Sequence, residues 1–120
     1  MLSRAAVIAP LLLFLPVSAL AGGAPVAVRV PTREVCVKEP IRVGVRSTGV
    51  VYDRLPYNAN PRWFSVRIFD PQGHRVFGRR GIAPRKWRFW TYEPPGTGAY
   101  RTTYGTAALA ASFTTRVHAC

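Results

Sequence analysis

The sequence has few acidic residues and few of the groups that catalysis and metal binding require. Its 120 residues include 5 Asp+Glu, 2 His and 2 Cys. The serines beyond the N-terminal apolar stretch lie in no GxSxG motif, the acids form no paired-carboxylate motif, and CxxC and HxxxH spacings are missing. No motif in the sequence supports a catalytic triad of His74, Asp70 and a serine, so these residues would come together only if the fold happened to place them side by side. We therefore expect no enzyme activity, no metal and no cofactor.

The sequence also lacks a second long hydrophobic run. Residues 5–20 form the first one, which follows a short basic start and is interrupted by Pro10 and Pro16. This pattern favours a cleavable secretory signal ending near Ala21, with an uncleaved N-terminal anchor as the alternative. Export to the periplasm or secretion would follow. The predicted division of the chain is a signal peptide at residues 1–21 and a single domain at residues 22–120.

Two cysteines become informative if the protein is exported, because thiols tend to pair in an oxidising compartment. Cys36 and Cys120 allow a single intramolecular connectivity. The sequence therefore predicts a Cys36–Cys120 disulfide, which would stabilise the domain by roughly 4 kcal/mol on the chain-entropy model. Free thiols or an intermolecular link are the alternatives, because Cys120 is the last residue.

Short alternating apolar segments, separated by Pro, Gly, Asn and Asp, follow the leader, and none of them has sustained helical spacing. This pattern is typical of an all-β domain. The Asp-Pro-Gln-Gly segment at 70–73 predicts a hairpin turn. We expect seven or eight strands, drawn from the segments 26–30, 35–37, 41–46, 50–52, 64–69, 75–78, 86–92, 99–104 and 112–117.

Three segments carry a family resemblance: EPIRVGV at 39–45, FSVRIFDPQG at 64–73, and GTGAY at 96–100 followed by SFT at 112–114. Their order resembles that of bacterial immunoglobulin-like and macroglobulin-type modules of exported proteins. The resemblance implies a small immunoglobulin-like antiparallel β-sandwich without catalytic residues. It also implies that Tyr100 forms a tyrosine corner, its hydroxyl bound to upstream backbone, although a plain core tyrosine is the alternative.

Positive charge is abundant where negative charge is scarce. The formal net charge is +12 at pH 7, and all of the 17 basic residues except Lys38 and Lys86 are arginines. Such a field attracts nucleic acid, anionic lipid headgroups and acidic envelope polymers. The alternative is that the arginines reflect a GC-rich genome and only keep a small sandwich soluble.

Residues 74–92 interleave basic and aromatic side chains without an acid. Guanidinium groups bind phosphate and carboxylate, and aromatic faces stack on sugars, bases or guanidinium itself. Strand alternation puts Trp87, Phe89 and Thr91 on one face, which we expect to face the core. Trp90 and Tyr92 would then lie outside, unless they pack under a loop or a second sheet. The candidate binding residues are Arg79, Arg80, Arg85, Lys86, Arg88, Trp90 and Tyr92.

These observations predict an exported, non-catalytic binding or accessory module. Its expected partner is an anionic envelope polymer, a membrane surface or a protein, and nucleic acid is less favoured. The alternative function is a secreted inhibitor or effector that docks onto a protein through loop 53–61, since loops on a rigid sandwich make good recognition surfaces. A third possibility is direct membrane damage by an Arg/Trp-rich surface.

Overall fold

A computed structural model describes residues 26–31, 33–48, 55–56, 59–107 and 109–120. This part of the chain contains eight β-strands and no α-helix, which confirms the all-β prediction and the strand count. The predicted signal peptide, the segment 50–52 and residues 53, 54, 57 and 58 of loop 53–61 lie outside the described residues. The strands are β1 (Val26–Arg29), β2 (Val35–Cys36), β3 (Ile41–Ser47), β4 (Trp63–Phe69), β5 (Arg75–Ile82), β6 (Arg88–Tyr92), β7 (Gly98–Thr106) and β8 (Ala110–His118).

The strands form two sheets. The three-stranded sheet has the order β1-β3-β6, and the five-stranded sheet has the order β2-β8-β7-β4-β5. Neighbouring strands are antiparallel, except that the two-residue β2 runs parallel to β8. The chain therefore folds as an antiparallel β-sandwich with one parallel edge strand.

The core lies between the two sheets and follows from strand alternation. On β3, Ile41, Val43 and Val45 are fully buried while Arg42 is exposed. On β4 of the other sheet, the alternate residues at 64, 66 and 68 are buried in the same way. Because each of these strands has one apolar face, each sheet buries its apolar face against that of the other sheet.

Two hairpins are longer than the sequence pattern indicates. Strand β5 continues to Ile82 instead of ending near residue 78, because it stays paired with β4 as far as Trp63. Strands β7 and β8 extend to a tight turn, where the Thr106 backbone N–H donates to the Leu109 carbonyl over 2.7 Å. Local turn signals thus underestimate how far a strand extends when a partner strand is available.

The hairpin turn predicted at residues 70–73 is confirmed. The Asp70 carboxylate accepts backbone N–H groups from Gln72 at 3.0 Å and His74 at 2.8 Å, and Gly73 has a φ of 87°. Hydrogen bonding from the His74 backbone holds the pKa of Asp70 below its usual value. This acid is therefore a turn residue.

The tyrosine corner implied by the resemblance is also confirmed. The Tyr100 side chain is buried, and its hydroxyl donates to the Gly96 carbonyl over 3.0 Å. Gly98 between them has a φ of 133°, and a Cβ there would contact the Pro71 ring. Glycine is therefore required at the point where the chain turns into β7.

The predicted disulfide is present and fixes one edge of the sandwich. Cys36 and Cys120 are bonded, with Cα atoms 5.0 Å apart and a sequence separation of 84. Beside the bond, the Val37 backbone N–H donates to the His118 carbonyl over 2.7 Å. The bond therefore joins the short strand β2 to the chain just beyond β8.

Two buried threonines predict opposite effects of the same substitution. Thr102 and Thr115 are both fully buried. The Thr102 hydroxyl has no hydrogen-bond partner among the described residues, whereas that of Thr115 donates to the Pro31 carbonyl over 2.7 Å. Because an unsatisfied buried hydroxyl is costly and a satisfied one is stabilising, we expect Thr102→Val to raise and Thr115→Val to lower the free energy of unfolding, each by about 1 kcal/mol. Urea denaturation measures both, and equal effects of the two changes would contradict the assignment.

Candidate functional site

The strands carry positive charge but no negative charge in the described part of the chain. No strand in the described part of the chain contains Asp, Glu or Lys, and every strand except β2 carries at least one arginine. The described acids lie in turns and connections, at Glu34, Glu39, Asp70 and Glu93. Both outer sheet faces are therefore cationic, without an acid among their strand residues.

The prediction that Trp90 and Tyr92 face outward is wrong. In the pairing of β3 with β6, Trp90 lies opposite Val43 and Tyr92 opposite Ile41, and directly opposed residues point to the same side of a sheet. Both aromatic side chains pack against the core, and burial raises the pKa of Tyr92. Trp90 contacts Phe64 of the other sheet, with ring centroids 5.7 Å apart.

Trp87 and Phe89 occupy the outer face instead, contrary to the expectation. Phe89 lies opposite Gly44, and a Cβ on Gly44 would collide with the Phe89 ring. The glycine therefore provides the surface on which the phenylalanine ring rests. The Trp87 and Phe89 rings are stacked, with centroids 5.8 Å apart.

Three arginines surround this ring pair. The guanidinium carbon of Arg29 lies 4.3 Å from the Trp87 centroid and that of Arg46 lies 5.3 Å from it, while Arg42 lies 3.9 Å from the Phe89 centroid. These residues alternate with core residues on β1 and β3, so strand geometry aims them outward. We call the set formed by Arg29, Arg42, Arg46, Trp87 and Phe89 the arginine–aromatic cluster.

The cluster is suited to binding anions. A guanidinium that lies over a ring can still donate N–H groups in its own plane, so stacking fixes the cation without using its donors. Several phosphate, sulfate or carboxylate groups could be held across the two strands by these donors.

The other predicted binding residues do not form one site. Arg85 and Lys86 are exposed just before Trp87, at the border of the cluster. Arg88 is exposed on the same side of its sheet as Trp90, and its guanidinium carbon lies 5.3 Å from that ring. Arg79 and Arg80 are exposed on β5, in the other sheet. Whether these residues bind a ligand stays a prediction.

Sequence reasoning missed Arg29, Arg42 and Arg46 because they are distant in the chain from the 74–92 segment. The alternation of Arg42 and Arg46 with buried valines does show which way they point. Gly44 between them is a further signal, because a glycine within a strand can mark the close approach of another group.

The two histidines lie beside acids and outside the cluster. His74 Nδ1 lies 3.5 Å from Asp70 Oδ2 in the β4–β5 turn, and His118 Nε2 lies 3.7 Å from Glu34 Oε1. Within the described ranges, no three His, Cys, Asp or Glu side chains are grouped as a metal site would require.

No helix of the described residues is long and apolar enough to span a membrane.

The fold and surface define a disulfide-closed, two-sheet antiparallel β-sandwich with cationic outer faces. Among solved structures it is similar to the CARDB domain of the PF1109 protein from Pyrococcus furiosus, which was determined in complex with di-metal ions. The identity is 16%, the TM-score is 0.47, and the match covers 79% of this chain and 92% of the other. No protein-family model and no curated protein matches the sequence.

Proposed function

We propose that the protein is an exported, non-catalytic binding module of the immunoglobulin-like class, which captures an anionic envelope polymer through the arginine–aromatic cluster. The resemblance to immunoglobulin-like and macroglobulin-type modules and the disulfide, which suits an oxidising compartment, support the class and the export. The observation that carries the binding proposal is the arrangement of three guanidinium groups around two stacked rings on an outer face.

The choice of an anionic polymer follows from the shape and charge of this face. The cluster extends over β1, β3 and the start of β6, so it presents separate cations along a surface rather than one enclosed pocket. A chain with repeated charges can contact several such cations at once. The guanidinium groups cover ring faces, so the rings leave apolar edges, which favour a ligand that also has apolar C–H groups, as a sugar has. A sulfated polysaccharide combines both features.

Binding is expected to depend on the two exposed arginines of the cluster, Arg29 and Arg42. The change Arg29→Gln/Arg42→Gln should weaken binding to dextran sulfate by at least about tenfold at low salt. It should also reduce the slope of log K against log[salt] by about one for each lost contact. Fluorescence anisotropy with labelled dextran sulfate over a salt series measures both quantities, and uncharged dextran should not bind.

A charge-matched variant distinguishes binding at the arginine–aromatic cluster from non-specific attraction to the net charge of the protein. Arg33→Gln/Arg116→Gln removes the same charge from exposed positions near the β8 edge, and it should retain most of the affinity. Arg85→Gln/Lys86→Gln tests whether the neighbouring predicted cations extend the site. Equal losses of affinity in the cluster variant and the Arg33/Arg116 variant would show that binding depends only on net charge.

Two other results would favour the alternative functions. Salt-insensitive capture of one stoichiometric protein would favour the inhibitor or effector alternative, and leakage from anionic vesicles would favour membrane damage.

A further inference from the structure

A second group of arginines surrounds a hollow on the outer face of the five-stranded sheet. In the pairing of β4 with β5, Arg67 lies opposite Gly78, Ser65 opposite Arg80, and Phe69 opposite Arg75. The core-facing residues of β4 are the alternate ones, so these pairs point outward. Arg67, Arg75 and Arg80 are all exposed.

Gly78 forms the floor of the hollow. A Cβ at this glycine would meet nothing closer than 3.9 Å, the nearest atoms being Arg75 Cδ and the Val66 carbonyl oxygen. Ser65, which is 8% exposed, lies beside it. The resulting groove has a volume of about 500 Å³. We call it the β4–β5 groove, formed by Ser65, Arg67, Arg75, Gly78 and Arg80.

The groove has the chemistry of an oxyanion site. The described residues that line it include no Asp or Glu. Arg67 of β4 and Arg75 and Arg80 of β5 all line the hollow, so a phosphate or sulfate group, with acceptor oxygens on several sides, could be bound by more than one of them. The adjacent Arg101 lies over the Phe69 ring at 4.7 Å and continues the cationic surface along the sheet.

The β4–β5 groove and the arginine–aromatic cluster lie on opposite outer faces of the sandwich. Packed sheets are separated by about 10 Å, and each outer face points away from the other. One straight polymer segment therefore cannot contact both sites.

We propose that the β4–β5 groove is a second site for sulfate or phosphate groups, and that one molecule thereby bridges two strands of the polymer. The bridging role rests on the proposed function, whereas the groove is argued from its own residues. The prediction is two independent binding sites for each protein molecule.

Calorimetric titration with a short sulfated oligosaccharide, such as a heparin tetrasaccharide, tests this number. The protein should bind two equivalents, and Arg67→Gln/Arg75→Gln should bind one. Gly78→Val, which fills the hollow without changing charge and suits a strand, should also bind one. Arg29→Gln/Arg42→Gln should retain the groove equivalent, which we expect to be the weaker of the two sites, and Arg33→Gln/Arg116→Gln should retain both. Thermal melting of each variant checks folding.

Cross-linking provides the second measurement. The protein should make dextran sulfate solutions turbid at intermediate protein-to-polymer ratios and clear again in excess protein, and the groove variants should bind the polymer without turbidity. Turbidity that persists in both groove variants, or a stoichiometry of one in the unmodified protein, overturns the bridging inference and spares the proposed function. Failure of the unmodified protein to bind either probe overturns both.

Discussion

Replacing both cysteines, as Cys36→Ser/Cys120→Ser, is expected to lower the free energy of unfolding by about 2–5 kcal/mol. The bond closes a loop whose ends are separated by 84 residues, so its loss restores a large conformational freedom to the unfolded chain. For a domain near 100 residues this corresponds to a fall in melting temperature of more than about 10 °C. Differential scanning calorimetry in oxidising buffer measures the change.

The loss should also have a local effect, because β2 pairs with β8 over only two residues. Amide exchange at Val37, which donates to the His118 carbonyl, should accelerate far more than exchange in β4 or β7. Reductant provides the control: it should destabilise the unmodified protein and leave the double-serine variant unchanged. A variant that melts with the unmodified protein would show that the sandwich does not depend on this cross-link.

Strand existence could be predicted from the sequence because its signals are local. Ile41, Val43 and Val45 alternate with polar or small residues, and this alternation identifies the buried face of β3 whichever strand pairs with it. The Asp70 turn and the Tyr100 corner likewise depend on residues within a few positions of each other. The cysteine pairing was predictable for a different reason, since two cysteines leave a single intramolecular choice.

The orientation of β6 could not be predicted in the same way. Both of its faces carry aromatic residues and at least one polar residue, so alternation alone does not distinguish inside from outside. The register of β6 against β3 decides which face of β6 is buried. Trp90 lies opposite Val43, and the apolar pattern of β3 shows that Val43 faces the core. The contacts of Arg29 and Arg42 with aromatic rings were beyond local reasoning too, because they join residues far apart in the chain.

This distinction makes Trp90 and Trp87 a decisive pair, since both are tryptophans near the same strand. Trp90 packs between the sheets against Phe64, so Trp90→Ala should leave a cavity that costs about 3 kcal/mol and lowers the melting temperature by more than about 10 °C. Trp87 lies on the outer face beneath Arg29 and Arg46, so Trp87→Ala should cost less than about 1 kcal/mol.

Binding by the two tryptophan variants should show the reverse order. Well below its melting temperature, Trp90→Ala should retain its affinity for dextran sulfate, whereas the affinity of Trp87→Ala should fall several-fold. Thermal melts and salt-series anisotropy on the two variants measure both effects. A larger stability loss in Trp87→Ala would instead place Trp87 in the core and the cationic surface on the other side of β6.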